Sequence, residues 1–215
     1  MSVTVWTISA QAAVGGDAIA AALAASAGVP LFDRDGFVQL AERACIEIPD
    51  VDDVEERFCG RGALALSFAT GTGVGAAAAF SELKLRRELP ALGRRLITEA
   101  ARQSCVIESS AAFAALEEHP GAVHVRLRAP FGWRVSAYQR AELVDRHHAE
   151  KALRHADRLE HAWVKFLYGV EVDDVSRYGL VLDASRLPAE RIVDTLIAAG
   201  GMDLVQPLAT TNEER

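Results

Sequence analysis

Short apolar runs rich in β-branched residues alternate along the chain with longer stretches whose apolar positions recur every three or four residues. The runs Val3–Ser9, Val29–Phe32, Ser104–Glu108, Ala122–Leu127 and Tyr178–Leu182 read as strands buried on both faces. Between them, Asp17–Ala27, Arg34–Cys45, Glu82–Gln103, Ala111–Glu118, Phe131–Gln139, Asp145–Leu167 and Pro188–Ala199 read as helices. Pro90 is expected to kink or break the third of these, because proline removes a donor and crowds the preceding turn. Alternation of this kind predicts an α/β fold: one parallel sheet, right-handed crossovers, and helices on both faces. Ligands of such sheets bind beyond the carboxyl ends of the strands, and Ser9–Asp17 falls there.

The alternation breaks at Glu47–Ala79. That segment opens with the acidic EIPDVDDVEER and continues into an Ala/Gly-rich stretch with Gly71, Gly73 and Gly75. No strand–loop–helix unit frames those glycines, so the segment reads as an inserted lobe or helix connector. A length of 215 residues bounds the chain to one domain, or one domain with a small lobe. Half the residues are hydrophobic and a quarter charged, which suits a conventional core. No run approaches the roughly 18 apolar residues of a membrane helix, and no basic residue precedes the first apolar segment, so a cytoplasmic chain without membrane contact is expected. Cys45, Cys59 and Cys105 lack metal-ligand spacing and suit reduced, packed thiols. The formal net charge of −7 argues against a nucleic-acid binder, although a nucleotide site needs only local positive charge.

Three stretches could carry chemistry. The first is the turn between the opening strand and helix, with Gln11, Ala13, Val14, Gly15, Gly16 and Asp17 as candidate nucleotide-binding residues. A strand, a glycine-containing turn and a helix N-terminus form the scaffold that cradles phosphates with backbone N–H groups. The working pattern GxxxxGK[ST] is absent: Gly15, Gly16, Asp17, Ala18 stand where glycines, a lysine and a hydroxyl belong. Asp17 suits a helix start and would repel a phosphate, so an ordinary capped turn remains an alternative. The second stretch is LFDRDGF, where Asp33 and Arg34 could hold an acceptor or merely start the next helix. The third, Asp145–Lys165, holds four of the six histidines. His147, Lys151, Arg154 or His155, Arg158 and His161 can share one helix flank. Such a flank could close over phosphates, or be a solvated face paired with Glu150, Asp157 and Glu160. No acidic triad or cysteine joins the histidines in a metal pattern. GxSxG, HExxH and CxxC are all absent.

In order along the chain, WTISAQAAVGGDAIAAALA, GVPLFDRDGF, SCVIESSAAFAAL, VHVRLRAPFGWRV and ADRLEHAWVKFLYGVEVDDVSRYGLVLDASRL resemble the cytidylate kinase-like family of P-loop nucleoside monophosphate kinases. APFGWRV and LYGVEVDD…YGLVLDASRL are the most specific of these. The resemblance implies a P-loop kinase fold: a three-layer α/β/α sandwich with a central parallel sheet, a nucleoside-monophosphate lobe near residues 46–80 and a helical lid near residues 140–170, all in one domain over 1–215. It implies ATP with Mg²⁺ as phosphoryl donor and a pyrimidine nucleoside monophosphate as acceptor. By the same resemblance Gly15 and Gly16 lie under the donor phosphates and Asp33 and Arg34 lie toward the acceptor. Arg134, Arg154 and Arg158 would meet the transferred charge. The sequence departs from the family pattern at Ala10, Ala13, Asp17, Ser109 and Glu160, where cationic or glycine residues are usual. Two readings follow: an active pyrimidine-nucleotide kinase, and a degenerate member that binds or regulates. A homodimeric scaffold using the Gly75–Phe80 and Leu83–Leu96 surfaces is a third.

Overall fold

The structure, a computed structural model, describes residues 3–44 and 88–201. Its elements run β1 (Val5–Ala10), α1 (Gly16–Ala27), β2 (Leu31–Phe32), α2 (Arg34–Arg43), α3 (residues 88–100), β3 (Cys105–Glu108), α4 (Ala112–Ala115), β4 (Ala122–Arg128), α5 (Phe131–Glu142), α6 (Arg146–Tyr168), β5 (Leu180–Asp183) and α7 (Ala189–Gly200). The strands form one parallel sheet ordered β2-β3-β1-β4-β5. The first strand is therefore central, flanked by β3 and β4, and the loop after it emerges between their carboxyl ends.

Alternation along the strands sorts the two faces. Trp6, Ile8, Val106, Val123, Val125 and Leu127 pack with Ile19 and Leu23 of α1 and Ile192 and Leu196 of α7. The opposite face carries Val5, Cys105 and Ile107 against Ile97 and Ala100 of α3, Ala101 just after it, and Leu116 after α4. This second face is not wholly apolar. Thr7 and Ser9 alternate with the apolar residues of β1, and His124 and Arg126 with those of β4. Thr7 Oγ1 meets His124 Nδ1 at 2.8 Å, and Arg126 donates to Ser9 Oγ at 2.8 Å. A buried polar strip thus runs under one side of the sheet.

Local chemistry sets the element ends. Gly28, at φ 67°, closes α1, and its N–H reaches the carbonyls of Ala24 and Ala25. Asp33 caps α2 and Asp145 caps α6, each accepting the N–H three residues on at 2.9 Å. Gly169 ends α6 at φ 71°. The Trp6 indole N–H donates to the Leu196 carbonyl at 2.8 Å, and a Cβ at Gly200 would lie 2.0 Å from the Trp6 ring. The closing helix is therefore seated directly on the opening strand.

The five strands fall where the apolar runs place them, with ends shifted by one to two residues. The helix expected at Ala111–Glu118 shrinks to Ala112–Ala115, because the chain turns at His119 toward Pro120 and Gly121. Tyr178 precedes β5 instead of belonging to it; its ring packs on Phe113 and its hydroxyl donates to Val172 O at 2.7 Å. Residues 88–100 are helical, with Pro90 in the first turn of the described helix; residues 82–87 of the expected helix lie outside the described residues. Leu89 and Leu96, read as a possible partner surface, are buried within the chain. Cys105 is a buried free thiol, and burial raises its pKa to about 12. Cys45, Cys59, the Gly71–Gly75 glycines, the Gly75–Phe80 surface and the 46–80 lobe lie outside the described residues.

Candidate functional site

Between β1 and α1 the chain makes a tight loop that β4 holds in place. Gln11 N donates to Leu127 O at 3.0 Å, and Gln11 Oε1 accepts from Ala129 N at 3.2 Å. Gln11 thus fastens the loop to the end of β4. Val14 turns into the core, 5% exposed, and its N–H reaches back to Gln11 O at 3.4 Å. Ala13 and Gly15 take left-handed conformations, φ 66° and 77°. Such a conformation is strained for alanine and free for glycine. The N–H groups of Ala12, Ala13, Gly15 and Gly16 find no acceptor among the described residues. Left-handed residues beside a helix N-terminus form a concave nest of donors suited to an anion. Gly16 has no alternative, since a Cβ there would lie 2.3 Å from Ala10 Cβ.

Above the nest lies a cavity of about 470 Å³. Residues 10–13 and 15–17 with Glu108 form its floor, and Ala137, Tyr138, Ala141 and Glu142 of α5 its roof. Every charged side chain among its described lining residues is a carboxylate: Asp17, Glu108 and Glu142. Glu108 ends β3, paired in register with Ile8. Burial, and then the negative charges of Asp17, Asp33 and Glu160, push its pKa up. Its carboxylate meets no hydrogen-bond or ion-pair partner among the described residues.

The arginines expected to meet transferred charge lie on α5 and α6. Arg134, 4% exposed, makes a bidentate bridge to Asp157 of α6 at 2.8 and 2.9 Å. It also reaches the Ala12 carbonyl at 3.5 Å and lies 5.4 Å from the Phe131 ring centroid. It ties α5, α6 and the loop together, and its charge is committed to Asp157. Arg154 is exposed and stacks over the same Phe131 ring at 4.6 Å. Arg158 is exposed one turn further along α6. Asp33 is spent as a helix cap, though it is close enough to Glu108 to act on its charge, and Arg34 opens α2 exposed.

Sequence reasoning missed Arg126. Only 2% exposed, its guanidinium donates to both oxygens of Glu160 at 2.5 and 3.0 Å, to Asp173 Oδ1 at 2.9 Å and to Ser9 Oγ. Asp173 in turn meets His161 Nε2 at 2.9 Å, while His161 Nδ1 lies 2.6 Å from Asp157 O. Burial opposes charge on Arg126, but its carboxylate partners outweigh it and hold the pKa above the usual arginine range. Burial likewise opposes charge on His161, yet the Asp157 carbonyl and Asp173 win and raise its pKa. One buried guanidinium–carboxylate bridge, Arg126 to Glu160, therefore clamps α6 onto the sheet, and a second, Arg134 to Asp157, ties α6 to α5. Glu160 is a position where the family pattern carries arginine, so its carboxylate is turned to holding Arg126. No group of three or more His, Cys, Asp or Glu among the described residues is arranged to hold a metal ion. None of the described helices is long and apolar enough to cross a membrane.

The sequence profile of the cytidylate kinase-like family matches residues 5–186. No curated protein matches the chain. Among solved structures, an uncharacterized protein from Eubacterium ventriosum ATCC 27560 is 15% identical with a TM-score of 0.66, covering 92% of this chain and 98% of that one. A gluconokinase from Sinorhizobium meliloti 1021 is 15% identical at a TM-score of 0.49, covering 92% and 91%. A shikimate kinase from Aquifex aeolicus vf5 is 13% identical at 0.43, covering 91% and 95%.

Proposed function

The chain belongs to the cytidylate kinase-like family, and on that premise we propose that it binds a nucleoside triphosphate on the Gln11–Gly16 loop as a module with little capacity to phosphorylate a nucleoside monophosphate. One observation carries this reading: loop residues whose N–H groups find no acceptor among the described residues line a cavity whose described charged residues are all carboxylates. The N–H nest suits a phosphate chain. The carboxylates disfavour a second, dianionic reactant beside it. Phosphoryl transfer is catalysed by positioning and charge stabilisation, and each missing contact to developing charge costs about 3 kcal/mol, on the order of a hundredfold in rate. Mg²⁺ takes its ligands largely from phosphate oxygens and water, so the ion would enter with the triphosphate and offset part of the negative charge. The same reading puts the protein in the cytoplasm with a small-molecule nucleotide as its partner.

The second reading is ATP-dependent transfer to a pyrimidine nucleoside monophosphate. Arg154, stacked over Phe131, and Arg158, both exposed on α6, favour it, since a side-chain swing could bring either toward bound phosphates. Calorimetric titration with ATP, with and without Mg²⁺, combined with a coupled ADP-release assay using CMP and dCMP, separates the two. Binding without nucleotide-dependent turnover supports the module. Binding with ADP release that depends on added CMP or dCMP supports the kinase. Absence of ATP binding under both conditions removes both.

A further inference from the structure

We propose that Glu108 acts as a general base that turns water onto the terminal phosphate of a bound nucleoside triphosphate, making the protein a slow triphosphatase. The proposal rests on the reading that the triphosphate lies over the Gln11–Gly16 loop. Geometry carries it from there. Register with Ile8 puts Glu108 at the carboxyl end of the strand beside the nest. Its Oε1 lies 3.9 Å from the point a Cβ on Gly16 would occupy, so the carboxylate stands next to the donors that would hold the phosphates. It lines the cavity and has no hydrogen-bond or ion-pair partner among the described residues. Of the carboxylates that act on its charge, Asp33 caps α2, Glu160 holds Arg126, and Asp17 lies in the first turn of α1. Burial and those negative neighbours raise its pKa, which moves a carboxylate toward the range of a useful base near neutral pH.

An acceptor that is already an anion needs no base and is repelled by this lining; water needs a base and is not repelled. In the step, a water oxygen forms a bond to the γ-phosphorus as Glu108 takes one water proton. The bond from that phosphorus to the β–γ bridging oxygen breaks. The nucleoside diphosphate and inorganic phosphate leave, and Glu108 returns its proton to solvent.

The test uses the full chain, MgATP, and Glu108→Gln, with Glu108→Asp as a second variant. Phosphate release is expected above the protein-free rate, falling on the order of a hundredfold in Glu108→Gln. Glu108→Asp keeps the carboxylate and is expected to keep more of the rate. The wild-type rate is expected to fall toward acid pH with a limb that Glu108→Gln lacks. By calorimetry, Glu108→Gln should bind ATP as tightly as wild type or several-fold tighter, because a negative charge beside the phosphates is gone. Bound MgATP with no hydrolysis, or equal hydrolysis in Glu108→Gln, overturns the role of Glu108. Failure of every variant and the wild type to bind ATP overturns the loop reading instead.

Discussion

Removing the carboxylate of Glu160 tests whether α6 is clamped to the sheet by charge. Arg126 is 2% exposed and its largest hydrogen-bonded partner is Glu160, itself 12% exposed. In Glu160→Ala the guanidinium stays buried, with Ser9 and the half-exposed Asp173 left to it. Breaking a buried pair from one side costs about 3–5 kcal/mol. Asp173 keeps part of the interaction and the Arg126 Nε already lacks a partner, which puts the expected loss near the lower end, about 3 kcal/mol. For a chain of this size about 1 kcal/mol moves Tm by about 2–4 °C, so Tm should fall by about 6–12 °C. Replacing both partners, Arg126→Leu with Glu160→Leu, removes the stranded charge and should recover most of the loss, since apolar replacement of a buried pair is often near neutral. Urea unfolding followed by far-UV circular dichroism measures all three proteins. A Glu160→Ala loss below about 1 kcal/mol, or a double variant no better than the single one, would refute the clamp.

Other substitutions probe the loop and the polar strip. Gly16→Val places a side chain into Ala10 and should abolish ATP binding in calorimetry while costing about 1–3 kcal/mol of stability through overpacking. Asp17→Arg reverses a charge lining the cavity and should tighten ATP binding about tenfold or more, an effect that weakens as salt rises; unchanged affinity would place that side chain away from the phosphates. His124 is held neutral chiefly by burial, which lowers its pKa. Its folded-state pKa therefore lies below the unfolded value of about 6.5, so its contribution to stability is whole above that pH and is lost as pH falls toward the folded value. Relative to wild type, His124→Asn should flatten the fall in urea stability below pH about 6.5, where one proton contributes at most about 1.4 kcal/mol per pH unit; identical slopes would refute it.

The apolar pattern made the sheet legible because a strand buried on both faces must be short, apolar and β-branched, and most of the runs approach that demand. The first loop was legible for the same reason that it is suspect: its glycines survive while its cationic residues do not. What the pattern hid is pairing across distance. Arg126 sits in a run whose apolar residues explain it as a strand, and nothing local says that its partner lies at Glu160, one helix away. Arg134 and Arg158 look alike in sequence, yet one is buried against Asp157 and the other exposed. Glu108 reads as the polar end of a strand, and only the return of β3 beside β1 brings it to the nest. Helix ends were legible where an aspartate or glycine marks them, as at Asp145 and Gly169, and illegible at Ala111–Glu118, where alanine continues past the turn.

Because β1 lies mid-sheet, it gains its hydrogen-bonded neighbours only about a hundred residues further along the chain: Val5 pairs with Cys105 on one side and Ala122 on the other. The indole of Trp6 must wait longer still, until Leu196 and Gly200 reach it. A chain that closes its centre with its own distant parts folds late and slowly. An emerging polypeptide of this kind exposes an unpaired apolar strand until β3 and β4 follow it, the condition under which nascent proteins depend on chaperones.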